Sequence, residues 1–183
     1  MNLFRLDIIP SSAAMYHADH HVGKMMIEAC QLMATAHIKP DVPGYDEMLP
    51  HCRLAANLLP YTHTHVNHPC AVWVRQGLDN YLWALELAFA LAAEFRYRFG
   101  DHTTVEVVEW LSKNVPSRLP QGSTTPPQAM PEQYRCNNPV TAYRRYYAAE
   151  KRSYRRGSKM VTATWTRRGV PEFMKVDNAT TMR

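Results

Sequence analysis

"YHADHHVGKMMIEACQ", Tyr16 to Gln31, decides the fold. Met15, Ala18, Val22, Met25, Ala29, Leu32, Met33 and Ala36 recur at three- and four-residue steps, the period of an α-helix with one apolar side. The opposite side carries His17, His21, Lys24, Glu28, Gln31 and Thr35 at the same spacing, so a polar row accompanies the apolar one along the whole helix. Solvated helix faces are ordinarily built from Glu, Lys, Gln and Arg, and "HADHH" is a different composition. Such a row offers proton carriers in His17 and His21, a cation in Lys24 that can hold an anionic oxygen, and carboxylates in Asp19 and Glu28. His17 and His21 also have the one-turn spacing of paired zinc ligands, but no HExxH-type signature accompanies them, and no metal or other cofactor is expected.

Outward from this helix, Pro10 to Ser12 mark its start and Lys39-Pro40 its end, which predicts one helix running to about His37. "NLFRLDII", Asn2 to Ile9, reads as a short strand or an extended lead-in pinned by Leu3, Leu6 and Ile8. Asp41 to Pro60 reads as loop with a helix around His51 to Leu58. Pro69 suits a first helical turn, Gly77 interrupts, and an apolar helix from about Leu78 to Phe99 stops at Gly100 and forms the spine of the core. Thr103 and Glu106 have the spacing of a capping box for a helix to about Asn114. Val115 to Pro131, rich in Pro, Ser and Thr, reads as an irregular connection or a lid. Asn138-Pro139 begins a last helix to about Arg156. The expected fold is mainly α: a single compact helical domain with a short N-terminal extended segment, divided into a helical catalytic part at 1–156 and a basic, partly irregular extension at 157–183.

Length and composition agree with one domain: 183 residues with 46% hydrophobic content can bury one core. No apolar run is long enough to span a membrane and no signal peptide is recognisable, so a soluble, intracellular protein is expected. Four cysteines without a CxxC pair imply free thiols. The net charge of +5 conceals an asymmetry. Residues 134–183 hold twelve Lys and Arg against three Asp and Glu, 12 − 3 = +9, and the remainder 9 − 13 = −4. The basic third is interleaved with Tyr143, Tyr146, Tyr147, Tyr154 and Trp165, the combination with which proteins neutralise phosphates and stack bases. On "AYRRYYAAEKRSYRR" the DNA-tracking candidates are Tyr143, Arg144, Arg145, Lys151, Arg152 and Arg155; the competing reading docks the tyrosines in the core and leaves the arginines in water.

A second constellation, "HTHVNHPCAVWVRQGLDNYLW", offers His63, His65, Asn67, His68, Cys70, Trp73, Arg75, Asn80 and Trp83. Cys70 just inside a helix N-terminus is either a nucleophile or a small buried apolar side chain. Arg75 supplies a phosphate fork, Asn80 an amide for a base edge, and Trp73 and Trp83 stacking plates.

Taken together, "LDIIPSSAAMYHADHHVGKMMIEACQLMATAH" (Leu6–His37), "THVNHPCAVWVRQGLDNYLWALELAFALAAEFRYRFG" (Thr64–Gly100), "AMPEQY" (Ala129–Tyr134) and "AYRRYYAAEK" (Ala142–Lys151) resemble, in this order, the phage-encoded amino acid:DNA transferases of thymidine hypermodification. The resemblance implies attachment of a free amino acid to a 5-hydroxymethyluracil base already activated as a pyrophosphate ester in DNA. Pyrophosphate is released, and the setting is the cytoplasm of the infected bacterial host. It maps onto Asp19, His21, Lys24, Glu28, His68 and Cys70 for catalysis and onto Gln31, His65, Asn67, Trp73, Arg75, Asn80 and Trp83 for substrate, with His17 added from the helical row. His20 stands where the pattern has Lys, and Gly23 where it has a branched residue. The start of the chain is also similar to pyrimidine-dimer DNA glycosylases of the endonuclease V type, which use an α-amine freed by loss of Met1; Asn2 is a poor second residue for that removal. A third expectation is a non-enzymatic DNA-binding accessory protein.

Overall fold

The computed structural model describes residues 2–38, 61 and 65–175. The expected loop at Asp41–Pro60, the helix within it, His63 and the chain beyond Lys175 lie outside these residues. The described fold is mainly α: α1 Pro10–Tyr16, α2 Asp19–Ile38, α3 Pro69–Arg75, α4 Leu78–Phe99, α5 Thr104–Lys113, a 3₁₀ turn Glu132–Tyr134, α6 Pro139–Glu150, an antiparallel hairpin of β1 Ser153–Arg156 and β2 Lys159–Thr162, and α7 Glu172–Lys175. Among the described residues no helix is long and apolar enough to cross a membrane. Cys30, Cys70 and Cys136 are free thiols.

The expected single helix at 12–37 is two. His17 adopts extended dihedrals (φ −69°, ψ 135°), so α1 stops and α2 restarts at Asp19. Arg98 of α4 explains the break: its guanidinium donates to the Met15 and His17 carbonyls, which a continuous helix would have used internally, at 3.0 and 2.9 Å. α2 packs on α4 with its apolar side, while the extended segment Asn2–Leu6 and α6 cover its other flank. Phe4 is wedged against His21, Tyr143 and Tyr147, with ring centroids 5.2 to 6.3 Å apart. Ile8, expected to pin this segment, is 67% exposed; Phe4 does so together with Leu3 and Leu6.

α4 lies between glycines, as its sequence requires. Gly77 precedes it, and the carbonyls of Pro120 and Gly122 accept from its first free amide hydrogens, at Leu78 (2.7 Å) and Asp79 (3.2 Å). The side chain of Asn80 clamps Thr124 through both its amide nitrogen and oxygen. The 115–131 connection is therefore irregular but tied down on α4 at these points. A methyl group on Gly77 would come within 2.4 Å of the Gly122 carbonyl oxygen. Gly77→Ala is expected to cost about 1–3 kcal/mol through overpacking against backbone, read as a lowered urea midpoint.

Two helix starts differ from expectation. The Thr103–Glu106 capping box does not form; His102 Nδ1 caps α5 by accepting from Thr104 N at 3.1 Å. Asn138 does cap α6, accepting from Val140 N and Thr141 N, but α6 ends at Glu150. Residues 153–162, expected as helix and tail, form the hairpin, with Gly157 at φ +63° in its turn. Tyr154 and Val161 pair on the inner face, and beyond them Ala163, Trp165 and Met174 are buried. The hairpin crosses the boundary expected at 156, and the chain to residue 175 packs on the helices.

Candidate functional site

The polar row of the long helix divides. His17 and His21 turn inward: His17 is fully buried with Nδ1 2.7 Å from the Ala13 carbonyl, and His21 Nδ1 lies 2.6 Å from the Tyr147 hydroxyl. Burial holds the His17 imidazole down to about 4 and that of His21 to about 2, neighbouring His20 adding to both effects. Neither is the solvent-facing proton carrier that the spacing suggested. The missing signal was that α6 and the Phe4 segment roof this side of α2.

Because the folded His17 resists protonation while the unfolded one titrates near the ordinary value of 6.5, its contribution to stability is present above pH 6.5 and is lost as pH falls toward 4. Between pH 7 and 5 the loss is about 2 kcal/mol from His17 alone. Urea midpoints at the two pH values should show it, and His17→Gln should remove that share of the difference, leaving the part due to His21.

Asp19, expected as a catalytic carboxylate, is occupied. Its oxygens accept from Arg98 Nη1 (2.9 Å), Thr164 Oγ1 (2.8 Å), Thr166 N (2.9 Å) and Thr166 Oγ1 (2.8 Å). Partial burial alone would raise its pKa, but these donors outweigh it and hold the carboxyl below the usual range. Asp19 joins the start of α2 to α4 and to the C-terminal segment.

Lys24, Glu28 and Gln31 do line one groove, of about 490 Å³, with His20, Gly23 and Ile27 from α2 and Phe95 and His102 from beyond it. Gly23 is needed here: a Cβ would sit 3.0 Å from the Phe95 ring, so glycine lets α4 approach and leaves Phe95 as a wall. His102, with Nδ1 accepting from Thr104 N, carries its neutral-state proton on Nε2, the atom facing Gly23. Phe95 and His102 stand edge to face at 4.6 Å. The sequence reading missed both; an isolated glycine within an apolar helix was the available sign of a close approach.

Glu28 is the hub of this groove. One carboxylate oxygen accepts from the backbone nitrogen of Asn2 at 2.7 Å, and the other lies 3.8 Å from Lys24 Nζ. Asn2 is held in turn: its Nδ2 donates to the Ala129 carbonyl at 2.9 Å, and its Oδ1 accepts from Tyr143 at 3.0 Å and from the Cys70 thiol at 3.5 Å. His68 stands close enough to Glu28 to feel its charge, and caps α3 by accepting from Cys70 N at 3.1 Å. Cys70 itself is buried, and burial pushes its thiol up, which favours the small apolar side chain over the nucleophile.

Four of the remaining expected substrate residues, Trp73, Trp83, Arg75 and Asn80, are structural pins. Trp73 Nε1 donates to the Thr124 carbonyl and Trp83 Nε1 to that of Ile8. Trp73 is buried, and the guanidinium of Arg5 lies over both indoles, 5.7 and 4.2 Å from the ring centroids, so it occupies a face of each. Arg75 Nη1 donates to the Val66 carbonyl, and Asn80 is committed to Trp73 and Thr124. His65, at φ 51°, and Asn67 are exposed on the loop before α3.

Of the basic third, Tyr143 is core rather than DNA surface. Arg144 is tied to Asp7 at 2.8 Å and to the Leu6 carbonyl at 2.7 Å, between the rings of Tyr16 and Phe173. Arg145 and Arg155 are exposed, Lys151 lies over Tyr146, and Arg152 Nε donates to the Ala148 carbonyl. The inner face of the hairpin meets the site directly: Tyr154 stacks on His20, with centroids 4.0 Å apart and planes at 19°, and His20 lies 3.9 Å from His21. His20 Nδ1 is buried without a hydrogen-bond partner. No group of His, Cys, Asp and Glu suited to a metal occurs among the described residues. Compared with family models, with curated proteins and with solved structures, the chain matches none.

Proposed function

We propose that the chain is a DNA base-modifying transferase that attaches an amino acid to a pyrophosphate-activated 5-hydroxymethyluracil in phage DNA, in the cytoplasm of the infected bacterium. The observation that carries this reading is the pairing of Glu28 with Lys24 inside a groove walled by Phe95 and bordered by a cationic hairpin. A pocket of a few hundred Å³ accommodates a base and a small co-substrate. In the reaction the amino acid's nucleophilic atom bonds to the exocyclic methylene carbon, the bond from that carbon to the pyrophosphate oxygen breaks, and the proton lost by the nucleophile passes to Glu28. Lys24 neutralises the departing pyrophosphate, the role a compact ammonium fills at phosphate. Phe95 supplies the apolar wall for an extruded pyrimidine, and the Nε2–H of His102 a donor to its edge.

The test is a nucleoside digest of DNA carrying the pyrophosphorylated base, incubated with the purified protein and amino acids. A new nucleoside by mass spectrometry together with released pyrophosphate is expected. DNA binding without product, under conditions in which the protein is folded, would leave the accessory-protein reading.

One observation favours a second reading. The backbone nitrogen of Asn2 donates to Glu28, and removal of Met1 would turn that nitrogen into an α-amine beside a carboxylate. A glycosylase of that kind bonds the amine to C1′ of the damaged nucleotide as the base departs. Borohydride trapping on ultraviolet-irradiated DNA, with the mass of the purified chain showing whether Met1 is lost, tests it: a trapped adduct supports the glycosylase, and its absence removes that reading.

A further inference from the structure

The hairpin that the sequence disguised as helix has two unlike faces. Tyr154 and Val161 form its inner pair, Tyr154 lying flat on His20. The next pair, Arg155 and Met160, points the other way, as the two-residue period of a ribbon demands. Met160 is 62% exposed, an unbranched apolar side chain held out on the ribbon, and its neighbours Arg155, Arg156 and Lys159 are exposed as well. From Ser153 to Thr162 the hairpin carries Arg155, Arg156 and Lys159 and no Asp or Glu. No ion pair on the hairpin is formed among the described residues, whereas Arg98, Arg144 and Arg168 elsewhere are all spent on carboxylates. An acid-free ribbon of this kind gains most from a polyanion, because each phosphate it neutralises releases a counterion. Two-stranded ribbons engage DNA through either groove, and an apolar side chain inserted from the minor groove pries a base step apart.

We infer that β1–β2 is a DNA-engaging finger: Arg155, Arg156 and Lys159 seat it on phosphates, and Met160 is a wedge that unstacks the base step next to the nucleotide delivered to the His20–Phe95 groove. This rests on the proposal that DNA is the substrate, and it supplies what the groove lacks, a device that opens the duplex. Tyr154 couples the two, since the strand that presents Arg155 outward presents Tyr154 inward onto His20.

The experiment uses the full chain and a duplex with 2-aminopurine beside a single thymine, without amino acid or pyrophosphate. Wild type is expected to bind and raise 2-aminopurine emission. Met160→Ser, at an exposed position and with its fold checked against wild type by circular dichroism, should bind within about threefold yet give no rise. The triple variant Arg155→Gln, Arg156→Gln, Lys159→Gln should lower the slope of log affinity against log salt by about 2 to 3, close to 0.9 for each phosphate no longer neutralised. A wild-type emission rise from Met160→Ser, an unchanged salt slope in the triple variant, or no duplex binding by wild type overturns the finger. Because catalysis is not involved, product formation with unaltered binding in these variants would sink the finger alone. Normal wedge behaviour without any new nucleoside would sink the transferase alone.

Discussion

Glu28→Gln is expected to lower the rate of nucleoside formation by about 10²–10⁴, the range for loss of a positioned general base, while leaving DNA binding within a few-fold. The substitution is chosen for what it keeps. A glutamine carbonyl still accepts from Asn2 N, now at 2.7 Å from the carboxylate, so the N-terminal segment stays seated over α2. What is lost is the ability to take a proton and the attraction for Lys24, 3.8 Å away and mostly exposed, which is worth little to stability. The fold should therefore survive with a urea midpoint near that of wild type. Single-turnover assays on pre-activated DNA read the chemical step directly; a variant that forms product at the wild-type rate removes Glu28 from the mechanism.

The largest stability effect is expected at Arg98. Its side chain has no exposure, and it donates to Glu94 at 2.7 Å, to Asp19 at 2.9 Å and to the carbonyls of Met15 and His17. Glu94 also receives Arg168 through both oxygens at 2.8 Å. Burial would raise the Glu94 pKa, but the two guanidinium groups more than reverse this and hold it below the usual carboxylate range. Arg98→Met keeps most of the volume and removes every donor. Two carboxylates and two carbonyls are then left without it at a helix junction, and removing one member of a buried ion network costs about 3–5 kcal/mol. For a chain of this size that is a drop in Tm of about 6–20 °C. Calorimetry on the variant checks it; a change under about 1 kcal/mol would mean that the α1–α2 break does not depend on Arg98.

The boundaries of α4 were legible because their determinants are local: an apolar period and a glycine at each end. The α1–α2 break was not, because its cause is a guanidinium 81 residues away from His17. A three- and four-residue polar row likewise cannot reveal whether other elements will roof it, so His17 and His21 read as a surface while Lys24, Glu28 and Gln31 truly line a groove. Trp73 and Trp83 read as free plates because nothing local foretells that Arg5 will lie across both. The hairpin is a different failure. Gly157-Ser158 between two short segments was a turn signal in plain view, and the arginines and tyrosines around it fit helix and strand almost equally well.

The bonds that finish the groove's surroundings span most of the chain: Tyr143 reaches back 141 residues to Asn2, and Thr166 reaches back 147 to Asp19. Such distant closures make for slow folding. During translation the opening segments must wait on the ribosome for partners that are made last, so the Asn2 clamp is incomplete in a nascent chain that stops short of residue 143, and the Asp19 junction in one that stops short of residue 166. Amber truncations on either side of residue 143 and on either side of residue 166, followed by pulsed proteolysis, should therefore yield protection in two late steps.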